Sequence, residues 1–137
     1  MQGCVFCGIA EGKIPSEKLY ETENVLSFMD INPGTKGHCL VIPKKHAETI
    51  TDVSEKDLRD VISAVQKVAK AIKKSLSPEG LNVHQSNGAI AGQVVNHAHF
   101  HIFPRFKGDG QSFKWIHTQY KEGEMQEIAG KIRKNLH

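Results

Sequence analysis

The chain has 137 residues, of which 39% are hydrophobic and 24% charged, and its formal net charge is +3 at pH 7. This length suits one domain, predicted to span residues 1–137. Lysines and arginines are spread along the chain rather than grouped in a basic block, so we expect no nucleic-acid partner. No apolar run approaches about 18 residues and no signal-peptide pattern opens the chain, so we expect a cytoplasmic protein without a membrane partner.

Short strands alternate with one long helix along the chain. Extended apolar runs bounded by turn residues predict five strands, at about 18–21, 25–30, 38–42, 81–85 and 94–103. Ser54 followed by Asp57 forms a capping box, and apolar residues at spacings of three and four extend a helix to about Ser75. A weaker helix is predicted over 121–135. The fold class is therefore α+β, a mostly antiparallel sheet with one long helix and a C-terminal helix.

Cys4 and Cys7 are two of only three cysteines in the chain. Their spacing is typical of a zinc knuckle, and a closed tetrahedral site would need two further ligands. Free thiols and a redox dithiol are the alternatives, and the second is disfavoured because no thioredoxin-like βαβ pattern adjoins the pair. Cys39 lies on a predicted strand and is interpreted as a small buried apolar residue.

Three histidines, His97, His99 and His101, alternate with apolar residues near the end of the last predicted strand. Residues two apart on a strand share a face, so three imidazoles would lie within reach of one phosphate-sized group. Three interpretations are open at this point. The row is a satisfied polar face, a histidine-based catalytic zinc site, or a nucleophilic histidine assisted by its neighbours.

The motifs and their order resemble the histidine triad superfamily of nucleotide hydrolases and transferases. Residues 91–105 carry the triad itself, and residues 28–46 look like the nucleotide-binding strands of that family. With the cysteine pair, as found in zinc-containing prokaryotic members, the resemblance covers about 4–105 and leaves 106–137 as an extension. It implies the histidine triad fold, a homodimer, and a purine nucleotide as substrate.

The resemblance also implies a role for each histidine. His99 would be the nucleophile, with a backbone carbonyl holding its Nδ1–H so that Nε2 attacks an α-phosphorus and forms a nucleotidyl-histidine intermediate. His101 and His38 would flank it as donors to the phosphate oxygens, although His38 could be a surface residue at the start of a strand. His97 would act on catalysis through its position, because it would also hold a structural zinc ion. The implied zinc ligands are Cys4, Cys7, His46 and His97.

Eight residues are predicted to contact the nucleotide: Phe6, Ile9, Phe28, Asp30, Ile31, Asn87, Gly92 and Gln93. A carboxylate can accept hydrogen bonds from both ribose hydroxyls, which suits Asp30. Gly92 would let the backbone approach the phosphate, which Gln93 would contact. The apolar residues of this set resemble a base pocket but could equally be core, and Asn87 could equally be a turn residue.

The expected activity is hydrolysis of a nucleoside 5′-phosphoramidate or a similar adenylate conjugate. The alternatives are a dinucleoside polyphosphate hydrolase and a nucleotide-binding module with weak turnover. The sequence departs from the family at Val94, where relatives carry Ser or Thr, so no hydroxyl is available there for the leaving group. His84 and His117 are spare histidines for which a surface role is the simpler expectation.

Overall fold

The computed structural model describes residues 1–136, so His137 at the end of the predicted extension lies outside the described residues. The strands are β1 (Lys18–Glu21), β2 (Val25–Met29), β3 (Cys39–Pro43), β4 (Gly80–Gln85) and β5 (Phe100–Arg105). They form one antiparallel sheet in the order β1-β2-β3-β5-β4. Within the described chain the helices are α1 (Val5–Ala10), α2 (Glu55–Leu76) and α3 (Glu124–Lys134). The predicted α+β class is confirmed.

The long helix α2 starts where its capping box predicts. The Ser54 hydroxyl accepts a hydrogen bond from the Asp57 amide at 3.1 Å, which satisfies one of the free N–H groups of the first turn. The helix ends at Leu76, and Ser77 follows it in the left-handed conformation with φ 49°. Pro78 cannot continue a helix, so the end of α2 is set by local sequence.

Helix α2 covers one face of the sheet. Its buried residues, among them Val61 and Val65, pack on alternate residues of the central strands such as Val41 and Ile102. These strand residues are fully buried. Each large aliphatic side chain that is buried contributes about 2 kcal/mol to the free energy of unfolding, so this layer is the main source of stability.

The opposite face of the sheet is covered near β2 and β3 by the short helix α1. Sequence analysis did not predict this helix, which is too short to show an apolar period. It brings Phe6 and Ile9 onto Leu26 and Leu40, in a second core cluster with Phe28 and Ile42. The histidine cluster lies on this face, because His101 is paired with Leu40 across β3 and β5.

The predicted strand over 94–103 is wrong at its start, since β5 begins at Phe100. Residues before it bond to the loop after β3 instead of to a sheet neighbour. The Ala98 amide donates to the Ala47 carbonyl at 2.7 Å, and the Gln93 amide group donates to the Glu48 carbonyl at 2.7 Å. Only His101 of the triad is therefore a strand residue.

The C-terminal helix is shorter than the predicted 121–135, and none of its described residues is buried. Gly123 precedes it with φ 78°, a backbone conformation that favours glycine and delays the start of the helix. Across residues 1–136 we find no helix with the length and apolar character needed to span a membrane.

A histidine cluster beside a cysteine–histidine site

The two cysteines and two of the histidines come together as the spacing and the resemblance predict. The Sγ atoms of Cys4 and Cys7 and one ring nitrogen each of His46 and His97 all lie within 4.8 Å of one another. All three cysteines of the chain are free thiols. Cys39 lies apart in the α2-side core, where burial raises the pKa of its thiol to about 12, as its apolar interpretation requires.

The donor atoms fit a zinc ion. The Nε2–H of His97 donates to the Pro43 carbonyl at 2.8 Å, which leaves its Nδ1 without a proton. That Nδ1 faces the sulfurs of Cys4 at 3.4 Å and Cys7 at 3.5 Å. Zinc bonds of about 2.3 Å to sulfur and about 2.0 Å to nitrogen separate tetrahedral ligand atoms by about 3.5 Å. Four protein ligands leave no open position, which suits a structural role.

His99 is held by the neighbouring residue of the triad. Its Nδ1 lies 2.6 Å from the backbone carbonyl oxygen of His97, and a carbonyl only accepts, so Nδ1 carries the proton. In the neutral ring Nε2 then has a free lone pair. His99 is 6% exposed and stands edge-on to Phe6 at 5.1 Å between ring centroids. Burial lowers the pKa of His99, which keeps the ring neutral and nucleophilic at pH 7.

His38 and His101 form a second pair on the same face. Their facing nitrogens, His38 Nε2 and His101 Nδ1, are 2.9 Å apart, and the ring of Phe103 stacks on His38 at 3.9 Å. His101 in turn lies 4.8 Å from His99 between ring centroids. Burial, followed by repulsion from the neighbouring histidines, lowers the pKa of His101 to about 4.

Asp30 lies at the edge of this cluster, with one carboxylate oxygen 3.6 Å from His38 Nε2. Its other oxygen accepts the Asn32 amide at 2.8 Å, which fixes the carboxylate in the turn after β2. One oxygen is thus left for a ligand. Ile31 follows with 88% of its surface exposed, so its side chain is open to a ligand.

The other predicted base contacts have a clear structural role. Phe6, Ile9 and Phe28 are each 7% exposed or less and belong to the α1-side core. Phe6 packs edge-on against Phe28 at 5.5 Å between centroids. Their core role is therefore established, and the ring of Phe6 also packs on His99.

The loop before the triad is fastened by its own side chains. Gln93 accepts the Gly88 amide at 2.7 Å and donates to the Glu48 and Val95 carbonyls, so both ends of its side-chain amide are used within the protein. Asn87 likewise accepts the Ile50 amide at 2.7 Å. The φ of 95° at Gly92 favours glycine, and a Cβ there would meet no protein atom within 4 Å.

Several residues that sequence reasoning missed shape the site. The Gly34 amide donates to His38 Nδ1 at 3.0 Å, and the Pro43 carbonyl accepts the Nε2–H of His97 at 2.8 Å. His84, expected at the surface, is half-buried and sits opposite His101 on β4. Backbone contacts of this kind leave no mark in residue identity, whereas the place of His84 follows from the register of β4 and β5.

Comparison with known proteins identifies the family. The model of the HIT domain matches residues 11–108 of the chain. The chain belongs to the HIT family. A HIT relative from Schizosaccharomyces pombe, named adenosine 5′-monophosphoramidase, is 50% identical over 135 residues, which are 95% of this chain and 98% of the relative.

Solved HIT structures share the fold. A HIT family member from Bacillus subtilis superposes with a TM-score of 0.94 at 45% identity, covering 99% of both chains. A zinc-bound histidine triad protein from Mycobacterium smegmatis superposes with a TM-score of 0.76 at 34% identity, covering 96% of both chains. The HIT fold of this chain, including its C-terminal extension, therefore has an experimental counterpart.

Proposed function

We propose that the protein is a nucleotide hydrolase that cleaves the bond between the α-phosphate of a nucleoside 5′-phosphoramidate, or a similar adenylate conjugate, and its leaving group. The observation that carries the proposal is the state of His99, buried and bonded through Nδ1–H to the His97 carbonyl at 2.6 Å. Its Nε2 is free to attack. The phosphoramidase name of the S. pombe relative supports the substrate class.

The reaction has two steps at phosphorus. His99 Nε2 attacks in line and forms an N–P bond while the bond to the leaving group breaks, and the leaving group takes the electron pair. Positive charge on the attacking imidazole is relieved by the His97 carbonyl, which accepts its Nδ1–H. Water then attacks the same phosphorus, the N–P bond breaks with its electron pair returning to His99 Nε2, and a nucleoside monophosphate is released. The proton that the water loses balances the one taken up by the leaving group.

The neighbouring side chains bind the nucleotide around this attack. His101 stabilises charge on the phosphate oxygens, and His38 supports it through the hydrogen bond between the two rings. The free oxygen of Asp30 accepts the ribose hydroxyls. Ile31, almost wholly exposed, covers one face of a purine base. Phe6 limits the space beside His99.

The exposed Val94 side chain restricts the chemistry of the leaving group. It is 92% exposed and carries no group that can donate a proton. We therefore propose that the enzyme favours leaving groups that depart with little protonation. Water or a histidine supplies a proton where one is needed.

Zinc belongs to the scaffold in this proposal. The ion would be held by the two cysteines, His46 and His97, and would supply fixed geometry but no chemistry at phosphorus. It ties α1, which carries Phe6, to the residue whose carbonyl orients His99. We also propose a homodimer, supported by the apolar residues Met125, Ile128 and Ile132 that α3 exposes.

A dinucleoside polyphosphate hydrolase is the second candidate, because the Pro104-Arg105 pair places a cation on the strand that carries His101. Arg105 is the one cation that β5 places in line with His101 and Phe103. Its guanidinium is engaged by Asp109 at 2.7 Å and by Asn82 at 2.9 Å. An arginine used in this way is poorly placed to bind additional phosphates, so the phosphoramidate substrate is favoured.

The test measures release of mononucleotide from adenosine 5′-phosphoramidate and diadenosine tetraphosphate side by side. We expect faster cleavage of the phosphoramidate, and a loss of at least about a thousandfold in kcat for His99→Ala. His117→Ala is the matched control, because this histidine is exposed and its ring stands edge-on to Trp115. Turnover that persists in His99→Ala contradicts the proposal, and turnover of neither substrate by the wild type favours a binding module.

A further inference from the structure

A chain of two hydrogen bonds runs from the backbone into the histidine cluster. The Gly34 amide lies 3.0 Å from His38 Nδ1, and His38 Nε2 lies 2.9 Å from His101 Nδ1. A backbone amide can only donate, so His38 Nδ1 accepts and carries no proton. The proton of the neutral His38 ring is therefore on Nε2, where it is donated to His101.

The hydrogen bond from His38 also determines the tautomer of His101. Its Nδ1 accepts from His38, so the proton of its neutral ring is on Nε2, the nitrogen that does not face His38. We infer that Gly34 is a positioning residue whose amide sets the tautomers of His38 and His101. His101 thereby offers an N–H, never a lone pair, to the reacting phosphate. The inference deepens the proposed hydrolysis and rests on it.

The hydrogen bonds from Gly34 through His38 to His101 orient an N–H donor, but they cannot pass a proton along from one end to the other. A proton that left His101 Nε2 could be replaced at Nδ1 from His38, but the Gly34 amide cannot then give up its own proton to His38. The row of hydrogen bonds therefore ends at the Gly34 amide, which keeps its proton. Its contribution is to keep the Nε2–H of His101, which carries partial positive charge, directed toward the phosphate oxygens. The low pKa of His101, about 4, keeps this neutral arrangement at pH 7.

A metal interpretation of the same residues conflicts with the Gly34 contact. Ligand atoms of Asp30, His38 and His101 lie within 4.8 Å, as a metal site requires. A metal on His38 Nε2 would move the ring proton to Nδ1, directly against the Gly34 N–H at 3.0 Å. Two donors would then face each other, so the group suits hydrogen bonding.

The surroundings keep the Gly34 amide in place. A Cβ on Gly34 would lie 2.9 Å from the Phe103 ring, which itself stacks on His38. The Gly34 carbonyl accepts the side chain of Gln111 at 2.9 Å. Gln111 follows the residues that the family model matches, so the C-terminal extension helps to hold the loop that sets the tautomers.

Gly34→Pro removes the amide proton, and Gly34→Ala keeps it. Both place a Cβ against Phe103, so alanine is the matched control. We expect ¹⁵N NMR of histidine-labelled wild type and Gly34→Ala to show the proton on Nε2 of both His38 and His101. In Gly34→Pro we expect mixed tautomers and a kcat about tenfold below that of Gly34→Ala with similar KM, because one preorganised donor is lost part of the time.

If the Gly34→Pro variant does not fold, a second pair of variants tests the hydrogen bond from His38 to His101. His38→Gln retains a donor for His101 Nδ1, whereas His38→Leu does not. We expect His101 to keep its Nε2 proton in the glutamine variant only, with the higher kcat of the two. A wild-type proton on Nδ1 of either histidine, or equal tautomers and kcat within each pair, would overturn the inference.

The tautomers are measured without substrate, which separates this inference from the proposed function. Wild-type protein with the stated tautomers but no hydrolysis of either nucleotide refutes the hydrolase. The opposite result, hydrolysis that depends on His99 together with the wrong tautomers, refutes the role of Gly34 alone.

Discussion

Two adjacent histidines of the triad expose opposite nitrogens, and the backbone decides which one. The Pro43 carbonyl accepts the Nε2–H of His97 and frees its Nδ1 for the sulfurs of Cys4 and Cys7. The His97 carbonyl accepts the Nδ1–H of His99 and frees its Nε2 for phosphorus. In the proposed function the same kind of side chain therefore serves as a metal ligand in one place and as a nucleophile two residues later.

The backbone carbonyl of His97 lies between the cysteine–histidine site, which we assign a structural role, and the histidine cluster, which we assign a catalytic role. The side chain of His97 is fully buried beside the cysteines, and its backbone oxygen accepts the Nδ1–H of His99 in the histidine cluster. Changes on the metal side should therefore cost stability first, whereas changes on the phosphate side should alter turnover first.

Loss of a metal ligand is expected to have the largest effect. Cys7→Ala should abolish binding of one zinc per chain and lower the free energy of unfolding by more than about 3 kcal/mol, because α1 is no longer fastened. Elemental analysis and urea unfolding measure both. Cys39→Ala is the control, a buried thiol outside the site that should keep its zinc. Unchanged zinc content in Cys7→Ala would break the structural half of the comparison.

Acid should destabilise the protein through His101. Its folded-state pKa of about 4 lies below the ordinary value of 6.5, so the unfolded chain takes up the proton first. The stability present above pH 6.5 is therefore lost as the pH falls from 6.5 toward 4. Allowing for the partial exposure of this ring, we expect a loss of about 1–2 kcal/mol from His101.

The variant His101→Gln isolates that contribution, since burial also lowers the pKa of His38, His97 and His99. Urea unfolding at pH 7, 5.5 and 4.5 should show a smaller decline for His101→Gln than for the wild type. Parallel declines would mean that His101 is not held neutral.

A hydroxyl at position 94 should extend the range of leaving groups. Val94→Thr keeps the shape of the side chain, which is 92% exposed, and adds a donor. We expect kcat to rise by up to about tenfold for phosphoramidates of alkylamines and to stay unchanged for activated leaving groups. Val94→Ala should change neither, and an equal rise in it would point to loop flexibility rather than proton donation.

The smallest expected effect concerns the base. Ile31→Ala should raise KM for adenosine substrates by about threefold with little change in kcat. The substitution removes an apolar contact with the base that is made equally in the ground-state complex and in the transition state. Ile62→Ala is the control, an exposed isoleucine of α2 on the far side of the sheet. If both variants behave alike in steady-state kinetics, Ile31 is not a base contact.

Sequence patterns predicted the elements whose signals are local. The Ser54 cap, the apolar period of α2 and the five strands follow from neighbouring residues, and the two cysteines with His46 and His97 meet as the family resemblance implies. The start of β5 was misplaced because residues from Gln93 onward bond to a loop some 45 positions away. Strand alternation carries no information about such partners.

Of the tautomers, only that of His99 could be predicted, because a nucleophilic Nε2 requires a backbone carbonyl that holds the Nδ1–H. The tautomers depend on the Gly34 amide and on the carbonyls of Pro43 and His97, which are backbone atoms that every such residue possesses. Their placement depends on tertiary structure. The resemblance implies that His99 is the nucleophile, and its hydrogen bond to the His97 carbonyl gives a physical reason for that role.

The most direct measurement is the site of the covalent intermediate. Protein mixed with adenosine 5′-phosphoramidate is quenched within milliseconds at alkaline pH, digested, and mapped by mass spectrometry. The account predicts an adenylyl group on His99 and none on His97, whose free nitrogen faces the cysteines. An adenylyl group on His38 or His101, or steady turnover with no modified histidine, would contradict it.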